Sequence, residues 1–346
     1  MHRIAVLVIG GTGFIGYHIV QQLQQQGFAV SVLSRQPDKY RSLFADDVQF
    51  VRGDLEQLTE AQLVDLLQGF QQLVFAAGVD ERTEPQGDAR AFFKRANVDS
   101  CEKVFRAAQQ APITHAVLLS SIFLQVHHDH PELQLAVRHP YIASRVEQHR
   151  VSEALAQGHF VLTTLEIPWV FGTCPHLESQ WNALITYVRS ATPLMVCRGG
   201  TNAVAVQTVA QAVVGALQYP TQSSRQAVGD LALTYQQLVQ LLCRHADRRD
   251  QPIRLVHEDF FRQLMGAGGL FRKLFNIPAG LDITYLPELL QRDITVDSAA
   301  SQALLRYPTG LAEKAIADTV RACPEHRYLK GWRKLLNIFT PPHRPH

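Results

Sequence analysis

The sequence predicts an α/β protein, a doubly wound parallel sheet followed by a smaller, mainly helical C-terminal lobe. Three observations predict it. Apolar strand-like runs alternate with longer helical patterns through the first half of the 346-residue chain. Those runs lack the polar alternation of a half-exposed strand, so they suit a parallel sheet covered on both faces. A glycine-rich turn joins the first run to the first helical pattern.

The elements follow in order. Residues 4–9 form a continuous apolar run, 14–26 read as a helix and 29–33 as a second strand. Runs at 48–51, 73–77, 116–119 and 160–167 predict further strands, with helices between them at 59–68, 89–110 and 141–156. From Gly172 onward Pro175, Pro193, Gly199, Gly200, Pro278, Gly280 and Pro287 break the rhythm, and helical patterns dominate. Residues 203–217 read as a short strand plus helix returning to the first unit.

Composition excludes several classes. Hydrophobic residues make up 46%, enough for a sizeable core and too many for a disordered chain. With 33 Lys and Arg against 31 Asp and Glu, no basic stripe points to nucleic acid. Cys101, Cys174, Cys197, Cys243 and Cys323 are scattered without a C-x-x-C, so neither a disulfide framework nor a zinc cage is expected. A reducing, cytoplasmic setting fits, and no apolar run is long enough to span a bilayer. Met1-His2-Arg3 and the following run imitate a signal peptide. They lead into the glycine turn with no small-residue cleavage site, so a buried first strand is expected. His127-His128-Asp129-His130 reads as a polar loop near the substrate mouth, because adjacent residues give no metal cage.

Gly10-Gly11-Thr12-Gly13-Phe14-Ile15-Gly16 sits between a strand and a helix, the setting in which such a turn binds a dinucleotide. Gly10 permits the tight turn, Gly13 the approach of a pyrophosphate, and Gly16 close helix–strand packing. Backbone N–H groups around Thr12, Phe14 and Ile15 and the helix dipole would hold the phosphates. Residues 1–171 are therefore expected to form a dinucleotide-binding Rossmann domain, joined by 203–228. Residues 172–202 and 229–325 form the substrate lobe, and 326–346 a basic tail.

With its G-x-x-G-x-x-G spacing and the motifs below, the chain resembles the extended short-chain dehydrogenase/reductase superfamily across residues 3–325. Within it, the chain is similar to NAD-dependent epimerase/dehydratase-like proteins, and its apolar lobe suits dihydroflavonol-reductase-like and hydroxysteroid-dehydrogenase-like enzymes. The resemblance implies an adenine contact at Asp54 and Leu55, and a nicotinamide-ribose wall at Ala76, Ala77 and Gly78. It also implies a cofactor-side asparagine at Asn97, and a segment closing over the nicotinamide that includes Pro168 and Val170. The second strand ends Ser34-Arg35 where NAD enzymes present an acid. A hydroxyl and a guanidinium suit the extra phosphate of NADP, with Lys39 and Arg41 adding charge, so NADP is expected over NAD.

The strand end Ser120-Ser121 resembles the family's serine-bearing position. Ser121 aligns with the polarising residue, with Ser120 as the alternative. Tyr141-Ile142-Ala143-Ser144-Arg145 resembles Tyr-x-x-x-Lys, with Arg145 in place of lysine. Positions i and i+4 share a helical face, so tyrosine and cation would both meet the cofactor. Tyrosine titrates near 10, and Arg145 is expected to lower that value and to anchor the ribose. The expected reaction is hydride transfer between NADP and a small apolar carbonyl/alcohol substrate, with Tyr141 as acid/base. A nucleotide-sugar epimerase and a non-catalytic NADP-binding regulator are the alternatives.

Several outlying features carry expectations of their own. His139 reads as a substrate contact and Glu166 as a buried structural acid. Phe260, Phe261, Leu264, Met265, Leu270, Phe271, Leu274 and Phe275 form helical stripes expected to pack into the lobe core, with a substrate lid as the alternative. In the tail, Tyr328, Leu329, Trp332, Leu335, Leu336 and Phe339 oppose Arg327, Lys330, Arg333 and Lys334. Docking on the body or on a second subunit, as in a homodimer, is expected ahead of peripheral membrane contact.

Overall fold

In the computed structural model, which describes residues 3–219, 222–275 and 277–324, the first apolar run is β1 (Ala5–Ile9). Val6 and Val8 enter one core cluster and Leu7 and Ile9 another, so the strand is buried on both faces. α1 (Phe14–Gln25) buries Gly16, Ile19, Val20 and Leu23, the three-and-four spacing of one helical face. β2 (Ala29–Ser34), β3 (Gln49–Arg52), α2 (Glu60–Leu67) and β4 (Gln72–Phe75) continue the alternation. Thr59 starts α2 with a reciprocal capping box to Gln62. The helical stretch that begins at Ala89 widens into a π turn over Lys94–Asp99 before α3 (Ser100–Ala108). β5 (His115–Ser121), α4 (Phe123–Asp129), α5 (Pro140–Ala156) and β6 (Val161–Ile167) follow.

β7 (Trp169–Phe171), α6 (Asn182–Ser190), β8 (Leu194–Val196), β9 (Gly200–Ala205) and α7 (Val206–Gln218) open the second half. β10 (Ser224–Ala227), β11 (Leu231–Thr234), α8 (Tyr235–His245), β12 (Ile253–Leu255), α9 (Glu258–Leu274) and α10 (Ala312–Ala322) complete the elements used below. Seven parallel strands form one sheet in the order β10-β6-β5-β4-β1-β2-β3. From β1 the chain runs outward through β2 to β3, then crosses back to β4 on the other side of β1, and this reversal of strand order opens a crevice at the carboxyl ends of β1 and β4.

The structure adds to or changes four readings. The strand at 200–205 lies outside the large sheet. β9 pairs instead with β7 and β11, while α7 packs on α1 and β10 adds the seventh strand beside β6. The second half also carries small sheets that the sequence reading missed, because strands such as β8, three residues long, show too little periodicity. His127, His128 and Asp129 lie on α4 and not on a loop, since Leu124 and Val126 bury one side of that helix. The stripes of α9 are not core. Phe261 is buried, but Phe260, Leu264, Leu270, Phe271, Leu274 and Phe275 are exposed. The tail lies outside the described residues, among which no helix is long and apolar enough to cross a membrane.

Candidate active site

The glycine turn lies at the crevice between β1 and β4. Gly10 has φ +86°, and a Cβ there would stand 2.6 Å from the Ala76 carbonyl carbon. A Cβ on Gly16 would stand 2.0 Å from the Gly10 oxygen, so turn, strand and helix pack at a distance only glycine allows. A Cβ on Gly13 would find only the Gly10 oxygen, at 3.3 Å. No side chain caps α1 after Gly13, so its first-turn N–H groups face the crevice without side-chain acceptors. Thr12, Phe14 and Ile15 are partly exposed there. An uncapped helix start behind a glycine cradle is the arrangement a dinucleotide pyrophosphate requires, and these residues fit one.

Around that turn, β2 ends on buried Ser34 and exposed Arg35. Ser34 Oγ accepts the Gln36 N–H, and the Arg35 carbonyl accepts from Arg52, which also pairs with Asp38 at 2.5 Å. Asp54 turns the chain after β3, its Oδ1 accepting the Glu56 N–H at 3.0 Å, and Leu55 is partly buried beside it. Ala76 and Ala77 form the crevice wall after β4, with the Ala76 N–H on the Ile9 carbonyl. Pro168 and Val170 are buried at the β6–β7 junction.

Gly78, at φ +140°, is wedged between Asn97 and Arg145. Asn97, expected among the cofactor contacts, is fully buried. Its amide oxygen accepts the Val79 N–H, and its NH2 donates to the Val79 carbonyl and Ser144 Oγ, so it holds the crevice wall in place. The π turn that presents it widens the helix at that point.

Tyr141, Arg145 and Ser121 converge. Pro140 opens α5 without costing a hydrogen bond, and the Tyr141 N–H donates to the Gly280 carbonyl at 2.9 Å. One turn on, Arg145 Nε donates to Tyr141 Oη at 3.2 Å. Its other nitrogens donate to Gln148 Oε1 at 2.9 Å and to the Val79 carbonyl at 3.2 Å. Ser121, at the end of β5, is buried beside the Tyr141 hydroxyl, near enough to lower its pKa, and its Oγ accepts the Phe123 N–H at 3.4 Å. Ser120 is also buried, but its Oγ has no partner among the described residues.

The expected fall in the tyrosine pKa is reversed. Burial raises it, the Arg145 cation and the neighbouring Ser121 hydroxyl pull it down, and the Glu81 and Asp80 carboxylates push it back up. Burial is the largest of these effects and outweighs the guanidinium, which the Glu81 carboxylate opposes more strongly than Asp80 does.

That carboxylate is part of a group the sequence reading passed over. Arg82 binds Asp80 at 2.6 Å and Gln180, and its guanidinium lies 5.6 Å from the Trp181 ring. The pair fixes the segment after β4 so that the neighbouring Glu81 carboxylate acts on both Tyr141 and Arg145, and burial raises the Glu81 pKa. Three consecutive charged residues, Asp80-Glu81-Arg82, just beyond the turn that follows an apolar strand were the available signal.

His139 differs from its expected role. It is fully buried, Nδ1 accepts the Asp282 N–H at 3.0 Å, and Nε2 has no partner among the described residues. It therefore ties the 280–285 segment over α5 and is closed to a substrate. Burial lowers its pKa from 6.5 to about 4, so the neutral ring is the native form. Its contribution is intact above pH 6.5 and fades as pH falls toward 4, because the unfolded chain takes up the proton first. Urea unfolding at pH 7 and pH 5 should show the wild type losing about 2 kcal/mol more than His139→Asn. Equal losses would remove the buried imidazole as the cause.

Glu166 meets its expectation as a buried acid, paired with Arg225 at 2.8 Å. No group of three or more His, Cys, Asp or Glu able to hold a metal occurs among the described residues.

The model of the NAD dependent epimerase/dehydratase family matches residues 6–228, which span the glycine turn, Ser121, Tyr141 and the large sheet. The chain belongs to this family. Among relatives, the mouse sterol-4-alpha-carboxylate 3-dehydrogenase, decarboxylating, is 30% identical over 114 residues, 33% of this chain and 29% of that one. A putative dihydroflavonol 4-reductase of Synechocystis is 34% identical over 118 residues, 33% of this chain and 32% of its own. The chain thus matches about a third of the length of these curated relatives. The crystal structure of gox2253 superposes with a TM-score of 0.75 at 18% identity, covering 94% of this chain and 99% of that one, which shows a shared fold. Membership of the epimerase/dehydratase family accounts for the position of the glycine turn at the strand crossover.

Proposed function

We infer that this family member interconverts a carbonyl and the corresponding alcohol on a small apolar substrate, with NADP as its cofactor. The observation that carries the reading is the contact of Tyr141 Oη with Arg145 Nε beside Ser121, at the strand ends flanking the dinucleotide cradle. When bound, the nicotinamide supplies or accepts the hydride. Tyr141 gives its proton to the carbonyl oxygen on reduction and takes it back on oxidation. Ser121 donates a hydrogen bond that fixes that oxygen. Arg145 holds the phenol oxygen and favours the phenolate left after proton transfer. Because burial raises the Tyr141 pKa, the ligand-free site holds a protonated donor, which suits the reductive direction. Sterol and dihydroflavonol are the compounds in the names of two relatives, and both support an apolar ring alcohol or ketone as substrate.

The test is NADPH consumption against a panel of apolar ketones, beside NADPH and NADH binding by fluorescence. Turnover of one ketone class is expected. NADPH binding with no turnover on ketones or nucleotide sugars would favour a regulator, and a mass-neutral conversion of a nucleotide sugar would favour an epimerase. Arg35→Ala should weaken NADPH by about tenfold or more while leaving NADH nearly unchanged, the loss expected of one phosphate contact. Similar NADPH affinity in both proteins would remove Arg35 from the site.

A further inference from the structure

A cavity of about 320 Å³ lies apart from the dinucleotide crevice, between the helical stretch that begins at Ala89, α9 and the 277–283 segment. Its volume falls in the range of small-molecule sites, about 300–1,000 Å³. Among the described residues its wall carries three guanidinium groups, Arg90, Arg138 and Arg272, against one carboxylate, Asp282. Ile277, Pro278 and Ile283 supply apolar wall, and neither the glycine turn nor Ser121, Tyr141 or Arg145 lines it.

The three cations differ in what holds them. Arg138 pairs with Glu288, and its guanidinium lies 4.6 Å from the centre of the Tyr285 ring, so its charge is answered within the fold. Arg90 donates to the Ala136 and Val137 carbonyls, and Arg272 to the Pro278 carbonyl at 2.7 Å. These acceptors are neutral, and Arg272 Nε is buried without a partner among the described residues. Burial lowers the pKa of half-buried Arg272 although Glu84 and Asp282 act the other way, so the acids at hand do not offset its desolvation. Asp282 is itself engaged, its Oδ1 accepting the Thr284 N–H at 2.9 Å. A guanidinium with an open donor suits a carboxylate, whose two oxygens match its planar fork, and the apolar wall suits a compact hydrocarbon body.

We propose that this cavity binds a small organic carboxylate, with Arg90 and Arg272 meeting the carboxylate and Ile277, Pro278 and Ile283 its apolar body. Inorganic phosphate would leave that wall unused. The site adjoins the proposed acid from behind. Pro140, which precedes Tyr141, lines the cavity, and so does Ala279, which precedes the Gly280 whose carbonyl receives the Tyr141 N–H. An occupant therefore braces the 277–283 segment against α5. The proposal goes beyond the oxidoreductase reading and does not depend on it.

The probe is benzoate, titrated by calorimetry into the full-length protein beside its neutral isostere benzamide and inorganic phosphate. Benzoate should bind at least about tenfold more tightly than either, because benzamide lacks the charge and phosphate the apolar body. Arg90→Gln and Arg272→Gln should each weaken benzoate by about tenfold or more. Ala89→Phe, which fills the cavity without changing its charge, should abolish binding. Arg272 also holds the Pro278 carbonyl, so amide hydrogen exchange on the unmodified protein gives a reading free of any variant. Benzoate should slow exchange across 277–283. Absence of benzoate binding, equal binding of benzamide or phosphate, or unchanged exchange in 277–283 overturns the proposal. So does benzoate affinity that survives both Arg90→Gln and Ala89→Phe, which would place the benzoate elsewhere. None of these measurements uses turnover, so failure of the oxidoreductase reading leaves them intact.

Discussion

Tyr141→Phe should reduce turnover by about 10²- to 10⁴-fold, the range for removing a positioned general acid, while NADPH binding persists. The ring stays packed against Phe93, 5.7 Å between centroids, so the variant keeps the fold and loses only the hydroxyl. Arg145→Met should also slow turnover strongly and move the pH optimum upward. Removing the cation leaves burial and Glu81 to raise the tyrosine pKa further, each unit being worth about 1.4 kcal/mol. It should lower Tm as well, because the same guanidinium holds Val79 and Gln148. Arg145→Lys keeps the charge but not the fork, so partial activity is expected. The three variants are to be assayed across pH on the substrate found. Full activity in both Tyr141→Phe and Arg145→Met would sink the catalytic assignment.

Gly16→Ala should cost both stability and dinucleotide binding. Its Cβ would stand 2.0 Å from the Gly10 oxygen and 2.8 Å from the Gly10 carbon, and backbone atoms of a strand–turn junction cannot step aside as a side-chain tip can. Overpacking of this kind costs about 1–3 kcal/mol or more, and the displaced turn should weaken NADPH by about a hundredfold. Gly13→Ala is the control. Its Cβ meets only one atom at 3.3 Å, so the variant should unfold close to the wild-type midpoint yet bind NADPH poorly. Thermal melts with fluorescence titration separate the two. Tight NADPH binding by Gly13→Ala would place the pyrophosphate elsewhere.

The large sheet was legible from local chemistry. The stretches 5–9 and 73–75 are apolar throughout, as strands buried on both faces require. The glycine turn was equally legible, because positive φ and close backbone packing demand glycine wherever they occur. The α9 stripes misled, since a helical apolar face looks the same in sequence whether a core or solvent lies against it. His139 misled for a related reason: its position before Pro140 and Tyr141 is visible, but the 280–285 segment that buries it comes some 140 residues later.

The sequence by itself determined the strand and helix alternation, the glycine cradle, and the tyrosine and cation one helical turn apart, because each depends on neighbours within a few residues. Only the tertiary structure decided what surrounds them. It brought Glu81, fixed by Arg82 against Gln180 and Trp181, close enough to oppose Arg145 at Tyr141, and committed the Arg145 fork to Val79 and Gln148. The sign of a pKa shift depends on burial and on charges converging from distant segments, and convergence of that kind leaves no periodic trace along the chain.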